Sequence, residues 1–104
     1  MTDILEIGEG IKYQSSDEKK TYKITTTNVE SAPTSPSAIV YDENDNDTVV
    51  TSTVMPAGTH TASGDVITLK PLTALTEGHS YRVEVLFTVG SNIHECWFRV
   101  ACVR

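Results

Sequence analysis

Two groups of residues in this 104-residue chain have side chains that could support chemistry. The run Asp42-x-Asn44-x-Asn46-Asp47 concentrates oxygen-bearing side chains in one short stretch, as the start of a calcium-binding loop does. An EF-hand loop also needs glycine at its sixth position and glutamate at its twelfth, where this chain has Asp47 and Thr53. The run therefore predicts a polar hairpin turn at 42–47, with a less regular calcium site as the alternative.

The histidines and cysteines form no pattern typical of a metal centre or a catalytic nucleophile. His60, His79 and His94 are scattered, and His94-x-Cys96 lacks a second pair of ligands at zinc spacing. If His94 and Cys96 point to the core side of one strand, the thiol is inert. The sequence also has no nucleophile elbow and no glycine-rich phosphate loop. We therefore expect no enzyme activity, no catalytic residue, no metal and no other cofactor.

Composition and charge narrow the classes of partner. The chain has 14 acidic and 8 basic residues, a formal net charge of −6, which disfavours direct binding to nucleic acid or to an anionic membrane. No apolar run approaches the roughly 20 residues of a membrane span, and the N-terminus lacks the basic patch of a signal peptide.

Cys96 and Cys102 on one strand would lie about 20 Å apart, too far for a disulfide. Free cysteines in a reducing compartment are expected.

The elements that would position these residues are β-strands. Threonine and β-branched residues alternate with polar ones, and no window has a sustained helical period. Residues 31–37, which include Pro33 and Pro36, are predicted to be a connection because proline cannot donate to a central ladder. The sequence predicts one domain at 11–104, preceded by an arm or leader at 1–10. The predicted strands are 11–14, 20–27, 38–41, 48–55, 66–69, 81–89 and 93–103, with a short extended segment near 60–63.

The loop between the last two strands predicts their register. Gly90-Ser91 suits a two-residue type II′ turn with glycine first, which would pair Val89 with Asn92. Side chains alternate with a period of two, so this register assigns every later residue to a face. The predicted core face holds Tyr81, Val83, Val85, Cys96, Phe98 and Val100.

The same register predicts the composition of the opposite face. A tryptophan, a leucine and two arginines on an outer face are typical of protein interfaces, although an ordinary solvated sheet face is the alternative. The directly opposed Arg82 and Arg99 need an acid between them, which Glu84 could supply. The predicted interface residues are Arg82, Glu84, Leu86, Trp97 and Arg99.

A corner between two sheets is predicted at 72–85. Leu75 leads into Gly78, and three residues later Tyr81 opens a strand of alternating valines, so that the tyrosine hydroxyl can return to the backbone just upstream. This segment resembles the corner of fibronectin type III and related bacterial immunoglobulin-like domains, without the cysteine pair and central tryptophan of antibody domains. The resemblance implies an all-β, immunoglobulin-like or fibronectin-III-like sandwich of about seven antiparallel strands.

Most of the chain also resembles small structural proteins of tailed bacteriophages and prophages. The matching segments are the Gly-Glu turn at 7–10, the Thr-rich strand at 22–27, the proline crossing at 33–37, the strand at 39–42, and the last two strands. This resemblance implies a non-enzymatic virion protein, made in the cytoplasm of the bacterial host, that decorates the capsid or forms part of the head-to-tail neck. Its partners would be capsid, portal, neck or tail proteins and further copies of itself in a homo-oligomer.

Two other functions are compatible with the sequence. The chain could be a carbohydrate- or surface-adhesion module of a fibre, in which the turn at 42–47 holds calcium. Alternatively, it could be an intracellular interaction domain unrelated to phages. Melting with and without calcium tests the first alternative, and the genes beside the coding sequence test the second.

Overall fold

The computed structural model describes residues 4–6, 12–25, 34–56, 58–64 and 66–103. These ranges contain nine strands and one short helix, α1, at Thr51–Val54. The described chain is therefore mostly β, as the sequence predicts. The strands are β1 Ile4–Glu6, β2 Lys12–Gln14, β3 Lys23–Thr25, β4 Thr34–Asp42, β5 Thr48–Val49, β6 Thr61–Ser63, β7 Val66–Thr68, β8 Ser80–Val89 and β9 Asn92–Cys102.

The strands form two sheets, an arrangement compatible with a β-sandwich. The larger sheet has the order β1-β9-β8-β4-β5, and β2 also pairs with β9. Both β1 and β2 run parallel to β9, whereas β9, β8, β4 and β5 are antiparallel to their neighbours in this order. The smaller sheet has the order β3-β7-β6 and is antiparallel throughout.

The hydrophobic core combines side chains from both sheets in one cluster. The larger sheet contributes the predicted core residues, all of which are buried, together with Val40 and Phe87. The smaller sheet contributes Ile24 and Ile67. Full burial of one aliphatic or aromatic side chain of this kind is worth about 1.5–3 kcal/mol, so this cluster is what holds the layers together. Cys96 and Cys102 are buried and are not joined by a disulfide, which confirms the prediction that they do not bridge.

The hairpin of β8 and β9 has the predicted register. Val89 pairs with Asn92, Val83 with Phe98, and the ladder continues to Ser80 and Ala101. Gly90 has φ +60°, while Ser91 does not have a positive φ, which is the pattern that a type II′ turn requires. Burial alternates along both strands. The register therefore sends Trp97 to the side of the sheet that faces away from the core.

The prediction of a strand over 48–55 is wrong beyond Val49, because α1 replaces it. Val54 and Met55 are adjacent in sequence and both are only 2% exposed. An extended strand would point one of them away from the core, whereas a helical turn lets both reach it. The chain stays attached to β4 at this point, since the Val50 amide donates to the Val40 carbonyl and the Thr51 hydroxyl accepts from the Val40 amide, each at 2.9 Å.

The predicted connection at 31–37 is shorter than expected, because β4 begins at Thr34 and includes Pro36. The register with β8 shifts between Thr34 and Ser37, and Ser35 has φ +52°. This is a β-bulge, where the ladder is interrupted and a proline leaves no partner unpaired. Pro33 lies outside the described residues.

Two other predicted segments are described only in part. Of the arm at 1–10, the structure describes Ile4–Glu6, which pairs in parallel with Glu95–Trp97. Of the strand at 20–27, Lys23–Thr25 pairs with β7, and Lys20 makes an isolated bridge with Leu72. Residues 26 and 27 lie outside the described ranges.

Candidate protein interface

The outer face of the larger sheet, meaning the side away from the core, carries the five residues predicted as an interface. They come together because β4, β8 and β9 are paired in register, so that their outward residues form rows across the strands. Those five residues are each partly exposed rather than fully solvated. The rows are Tyr41–Arg82–Arg99, Ile39–Glu84–Trp97 and Ser37–Leu86–Glu95.

A network of ion pairs occupies the middle of the outer face. Arg82 Nε donates to Glu84 Oε2 at 2.9 Å, and Arg82 Nη1 donates to Glu43 Oε2 at 3.1 Å. Arg99 Nε donates to Glu43 Oε1 at 3.0 Å. Glu43, not Glu84, is therefore the acid that joins the two opposed arginines, because Glu84 is engaged with Arg82 on its own strand. Half-buried paired charges of this kind are held more rigidly than single surface ion pairs.

Sequence reasoning missed Glu43, which follows β4 directly and belongs to the polar turn predicted at 42–47. The signal was present: Tyr41 and Glu43 are two residues apart, and continuing the alternation of β4 by one step puts Glu43 on the same face as Tyr41.

The charge of Arg82 is reinforced by its surroundings. Burial alone would lower the pKa of Arg82, but the hydrogen bond and charge of Glu84, with the charge of Asp47 and the bond to Glu43, outweigh burial and raise this pKa above its usual value. The guanidinium also lies 4.7 Å from the centroid of the Tyr41 ring. Arg99 lies in the same way 4.9 Å from the centroid of the Trp97 ring. Contacts of this kind are worth about 0.5–1 kcal/mol at exposed sites and fix the orientation of both rings.

Exposed apolar side chains lie at the edges and ends of the outer face. The four most exposed large hydrophobic residues of the described chain are all on the outer face, each between 56% and 64% exposed. Tyr13 is opposite Ala101, Val49 is opposite Tyr41, and Ile93 is opposite Thr88, all outward positions. Val103 continues the alternation of β9, and its amide donates to the Gln14 carbonyl. Water contacts these side chains at a free-energy cost of about 25 cal/mol per Å² of apolar surface, which a partner would remove.

The outward side of the smaller sheet has a different composition. Its described positions are polar except for Val66, which is partly buried. The registers of β3, β6 and β7 put Lys23, Thr61, Ser63, Val66 and Thr68 there, opposite in direction to Ile24, Ala62 and Ile67. The two outer surfaces of the molecule are therefore unequal, and only the outer face of the larger sheet combines aromatic rings, arginines and exposed aliphatic groups.

The side-chain oxygens of Asp42 and Asn44, at the start of the predicted turn at 42–47, are bonded to other groups of the chain. Asp42 is buried, its Oδ1 accepts from the Asn44 amide at 3.0 Å, and its Oδ2 lies 2.7 Å from His79 Nδ1. The Asn44 side-chain oxygen accepts from the Ser80 amide at 2.7 Å. Among the described residues, no three His, Cys, Asp or Glu side chains are grouped as a metal site would require. The turn ties the end of β4 to the start of β8.

The histidines lie in separate places. His60 Nδ1 accepts from the Lys70 amide at 3.1 Å, and burial, followed by the charge of Lys70, lowers the pKa of His60. His94 is buried and stacks on Phe87, with 5.6 Å between ring centroids. Burial, with the nearby charge of Glu95, raises the pKa of the Cys96 thiol to about 11. That thiol is thus protonated at neutral pH, which leaves little of the nucleophilic thiolate.

The predicted corner residues lie where the chain enters β8. The Tyr81 ring occupies the core, and its hydroxyl accepts a hydrogen bond at 2.7 Å from the amide of Thr76, five residues earlier in the chain. Gly78 has φ +84°, which a side chain rarely adopts, and its amide donates to the Cys102 carbonyl at 2.9 Å. Leu75 is buried beneath this turn.

Comparison of the chain with protein-family models, curated proteins and solved structures finds no match. Within the ranges that the structure describes, no helix has the length and apolar character needed to cross a membrane. The role of the outer face must therefore be inferred from its own chemistry.

Proposed function

We propose that the chain is an immunoglobulin-like β-sandwich that serves as a non-enzymatic structural protein of a tailed-phage virion, with the outer face as its contact surface. The observation that carries the proposal is the outer face itself, where Trp97, Tyr41, two arginines and the exposed hydrophobic residues share one side of one sheet.

Strand order supports the immunoglobulin-like part of the proposal. In an immunoglobulin domain, strands B, E and D share one sheet, and strands C, F and G share the other. If β3, β4, β6, β7, β8 and β9 are labelled B, C, D, E, F and G in chain order, both sets are reproduced. The hydroxyl of Tyr81, near the start of the strand labelled F, accepts a backbone amide from upstream, as in the tyrosine corner of such domains.

Interface composition supports the contact surface. Tryptophan, tyrosine and arginine are the residues most enriched at energetically important positions of interfaces. Here the arginines are already oriented by Glu43 and Glu84, so that a partner would meet side chains whose conformational freedom is largely lost before binding.

The virion role is supported by the sequence resemblance and by the requirements of an assembled particle. A protein present in many copies on a symmetric particle needs patches that bind other subunits. Two buried cysteines that form no disulfide agree with synthesis in a reducing cytoplasm. Contacts of this surface would be with capsid, portal, neck or tail proteins, and the chain would be located in the virion.

Incorporation into particles tests the proposal. Trp97→Ala and Arg82→Glu are expected to reduce the amount of the chain in particles made by the phage or prophage that encodes it, measured by quantitative mass spectrometry of purified particles. Lys23→Glu is the matched charge-reversal control, because Lys23 is exposed on the smaller sheet. Circular dichroism melting would verify that each variant is folded.

Two results would contradict different parts of the proposal. If folded Trp97→Ala and Arg82→Glu chains enter particles as well as the parent does, the outer face is not the contact surface. If purified particles lack the parent chain, and no capsid or portal gene lies near its coding sequence, the virion role is wrong.

A further inference from the structure

We propose that the outer face pairs with the outer face of a second copy of this chain, across a two-fold axis that brings Arg99 of each copy against Asp47 of the other. This inference rests on the proposed function of the outer face as a contact surface, and it names the partner that the charges of the face fit.

Arg99 has hydrogen-bonding capacity that its own chain does not use. Its Nε donates to Glu43, and its side chain is 42% exposed. Among the described residues, neither terminal nitrogen of Arg99 has a hydrogen-bond partner. Arg82 differs, because its Nε and Nη1 are bound to Glu84 and Glu43 and its side chain is 23% exposed. Arg99 therefore presents the available cationic donors of the network.

Asp47 is the matching acceptor. Its side chain is 56% exposed, and the shortest ion pair that the described chain gives its carboxylate is 3.8 Å to Arg82 Nη1, which is longer than a hydrogen bond. A guanidinium with two free terminal nitrogens can bind a carboxylate through two parallel hydrogen bonds. The outer face thus carries an unused donor group and an unused acceptor group that fit each other.

The positions of these two groups on the sheet make the face complementary to itself. Arg99, Arg82 and Tyr41 follow one another in a row across β9, β8 and β4. Asp47 reaches the same row from the turn between β4 and β5, as its distance to Arg82 shows. Arg99 therefore supplies a cation at the β9 end of the row. At the β5 end the row itself holds Val49, and Asp47, two residues earlier in the chain, supplies an anion beside it.

A two-fold axis converts this polarity into two identical contacts. When two copies of one face meet, the axis lies in the plane between them, and every contact occurs twice. An axis parallel to the strands, between β8 and β4, would put the β9 end of one row over the β5 end of the other. Arg99 would then meet Asp47 of the other copy, and Arg82 would meet Tyr41 of the other copy.

The outer face carries charges of both signs, which a contact with a second copy must pair. Arg82 and Arg99, two of the three arginines of the chain, share this face with the acids Glu43, Glu84, Glu95 and Asp47. Each copy has a formal net charge of −6, so two copies repel each other unless cations of one face acids of the other. The pairing of Arg99 with Asp47 of the other copy supplies such contacts twice.

Charge reversal with rescue tests the pairing, with dimer affinity measured by sedimentation equilibrium of the purified full chain. Arg99→Glu and Asp47→Lys are each expected to weaken dimerisation at least about tenfold, because each puts like charges in contact. The double variant R99E/D47K, which restores opposite charges, should bind within about threefold of the parent. The parent dimer should also weaken as salt is raised. Lys23→Glu should leave the affinity unchanged.

The outcomes separate this inference from the proposed function. A parent chain that is monomeric up to about 1 mM overturns the pairing, even if Trp97→Ala still prevents incorporation into particles. Single variants that weaken the dimer without recovery in R99E/D47K also overturn it. Loss and rescue of the dimer support the pairing even if purified particles lack the chain, in which case only the virion role fails. Asp47 has φ +56°, so circular dichroism of each variant is compared with that of Asp47→Asn, which keeps a residue that tolerates this conformation.

Discussion

Replacing Tyr81 by phenylalanine isolates the contribution of one hydrogen bond to the corner that leads into β8. The substitution removes the oxygen that accepts the Thr76 amide at 2.7 Å and keeps the ring, which is 2% exposed, in the core. A hydrogen bond of this type contributes about 0.5–1.5 kcal/mol net. Thr76 is exposed, so water can replace the lost acceptor. We therefore expect the free energy of unfolding to fall by about 1 kcal/mol, without the larger penalty of an unpaired buried group.

Urea unfolding followed by the fluorescence of Trp97, the single tryptophan of the chain, measures this change. For a domain of this size the slope is about 1–3 kcal/mol per M, so the midpoint should move down by roughly 0.3–1 M at constant slope. The melting temperature should fall by about 4–8 °C. Tyr13→Phe is the matched control, because the Tyr13 ring is 60% exposed, and its free energy of unfolding should change by less than about 0.5 kcal/mol.

Two outcomes would refute this reasoning. If Tyr81→Phe and Tyr13→Phe unfold at the same urea concentration, the bond to Thr76 does not stabilise the corner, and burial of Leu75 together with the turn at Gly78 must be sufficient. If Tyr81→Phe lowers the free energy of unfolding by more than about 4 kcal/mol, the hydroxyl has a role that its partly buried bond to one amide cannot explain.

Four further substitutions have expected outcomes in the same assays. His94→Leu should leave stability unchanged or raise it by about 1 kcal/mol, because His94 Nδ1 is buried with no partner in the described chain; a loss above about 1 kcal/mol contradicts this. Tyr22→Phe should lower stability by about 1 kcal/mol, because the Tyr22 hydroxyl donates to Gln14 Oε1 at 2.9 Å. Burial, with the charge of Glu18, raises the pKa of Tyr22 to about 12. The contribution of the Tyr22 hydroxyl to the free energy of unfolding should therefore be complete below pH 10 and disappear as pH rises through 12. Ultraviolet titration of parent and variant would show the ionisation of this hydroxyl. Gly90→Ala should cost about 1 kcal/mol because Gly90 has φ +60°, whereas Ser91→Ala should be neutral.

The hairpin of β8 and β9 was predictable because two independent constraints agree. The glycine-first loop has a fixed length, and the alternation of large apolar residues tolerates no slip of one position. Together they determine which side chains are inside, and the structure has that register and that core. The same agreement is why the sequence alone assigns Trp97 to the outer face.

The helix α1 was not predictable from local residue types. Thr51-Ser-Thr-Val54 is rich in β-branched residues, which favour strands when nothing else decides. Two adjacent apolar residues, Val54 and Met55, have to enter the core together, and only contacts with other parts of the chain impose that requirement. Burial of both side chains in the core therefore outweighs the strand propensity of residues 51–54.

Glu43 and Pro36 show two different limits of sequence reasoning. Glu43 was within reach, since the period of β4 extends to it. The residues that follow Glu43 are polar, and the whole run at 42–47 therefore has the composition of a solvent-exposed turn. Pro36 was out of reach, because its place in β4 depends on a bulge against β8, and the strand partner that makes the bulge is not visible in the sequence around Pro36.

The contrast between the two outward surfaces bears most directly on function. Outward positions of a strand are not constrained by the core, so their composition reflects solvation or contact with another molecule. The outward positions of the smaller sheet are mostly threonine, serine and lysine, which are compatible with contact with water. The larger sheet has Trp97, Tyr41 and Tyr13 at equivalent outward positions, together with arginines held in place by Glu43. Aromatic rings and arginines grouped with exposed aliphatic side chains are typical of protein interfaces, so this difference is the observation on which the proposed contact with another subunit rests.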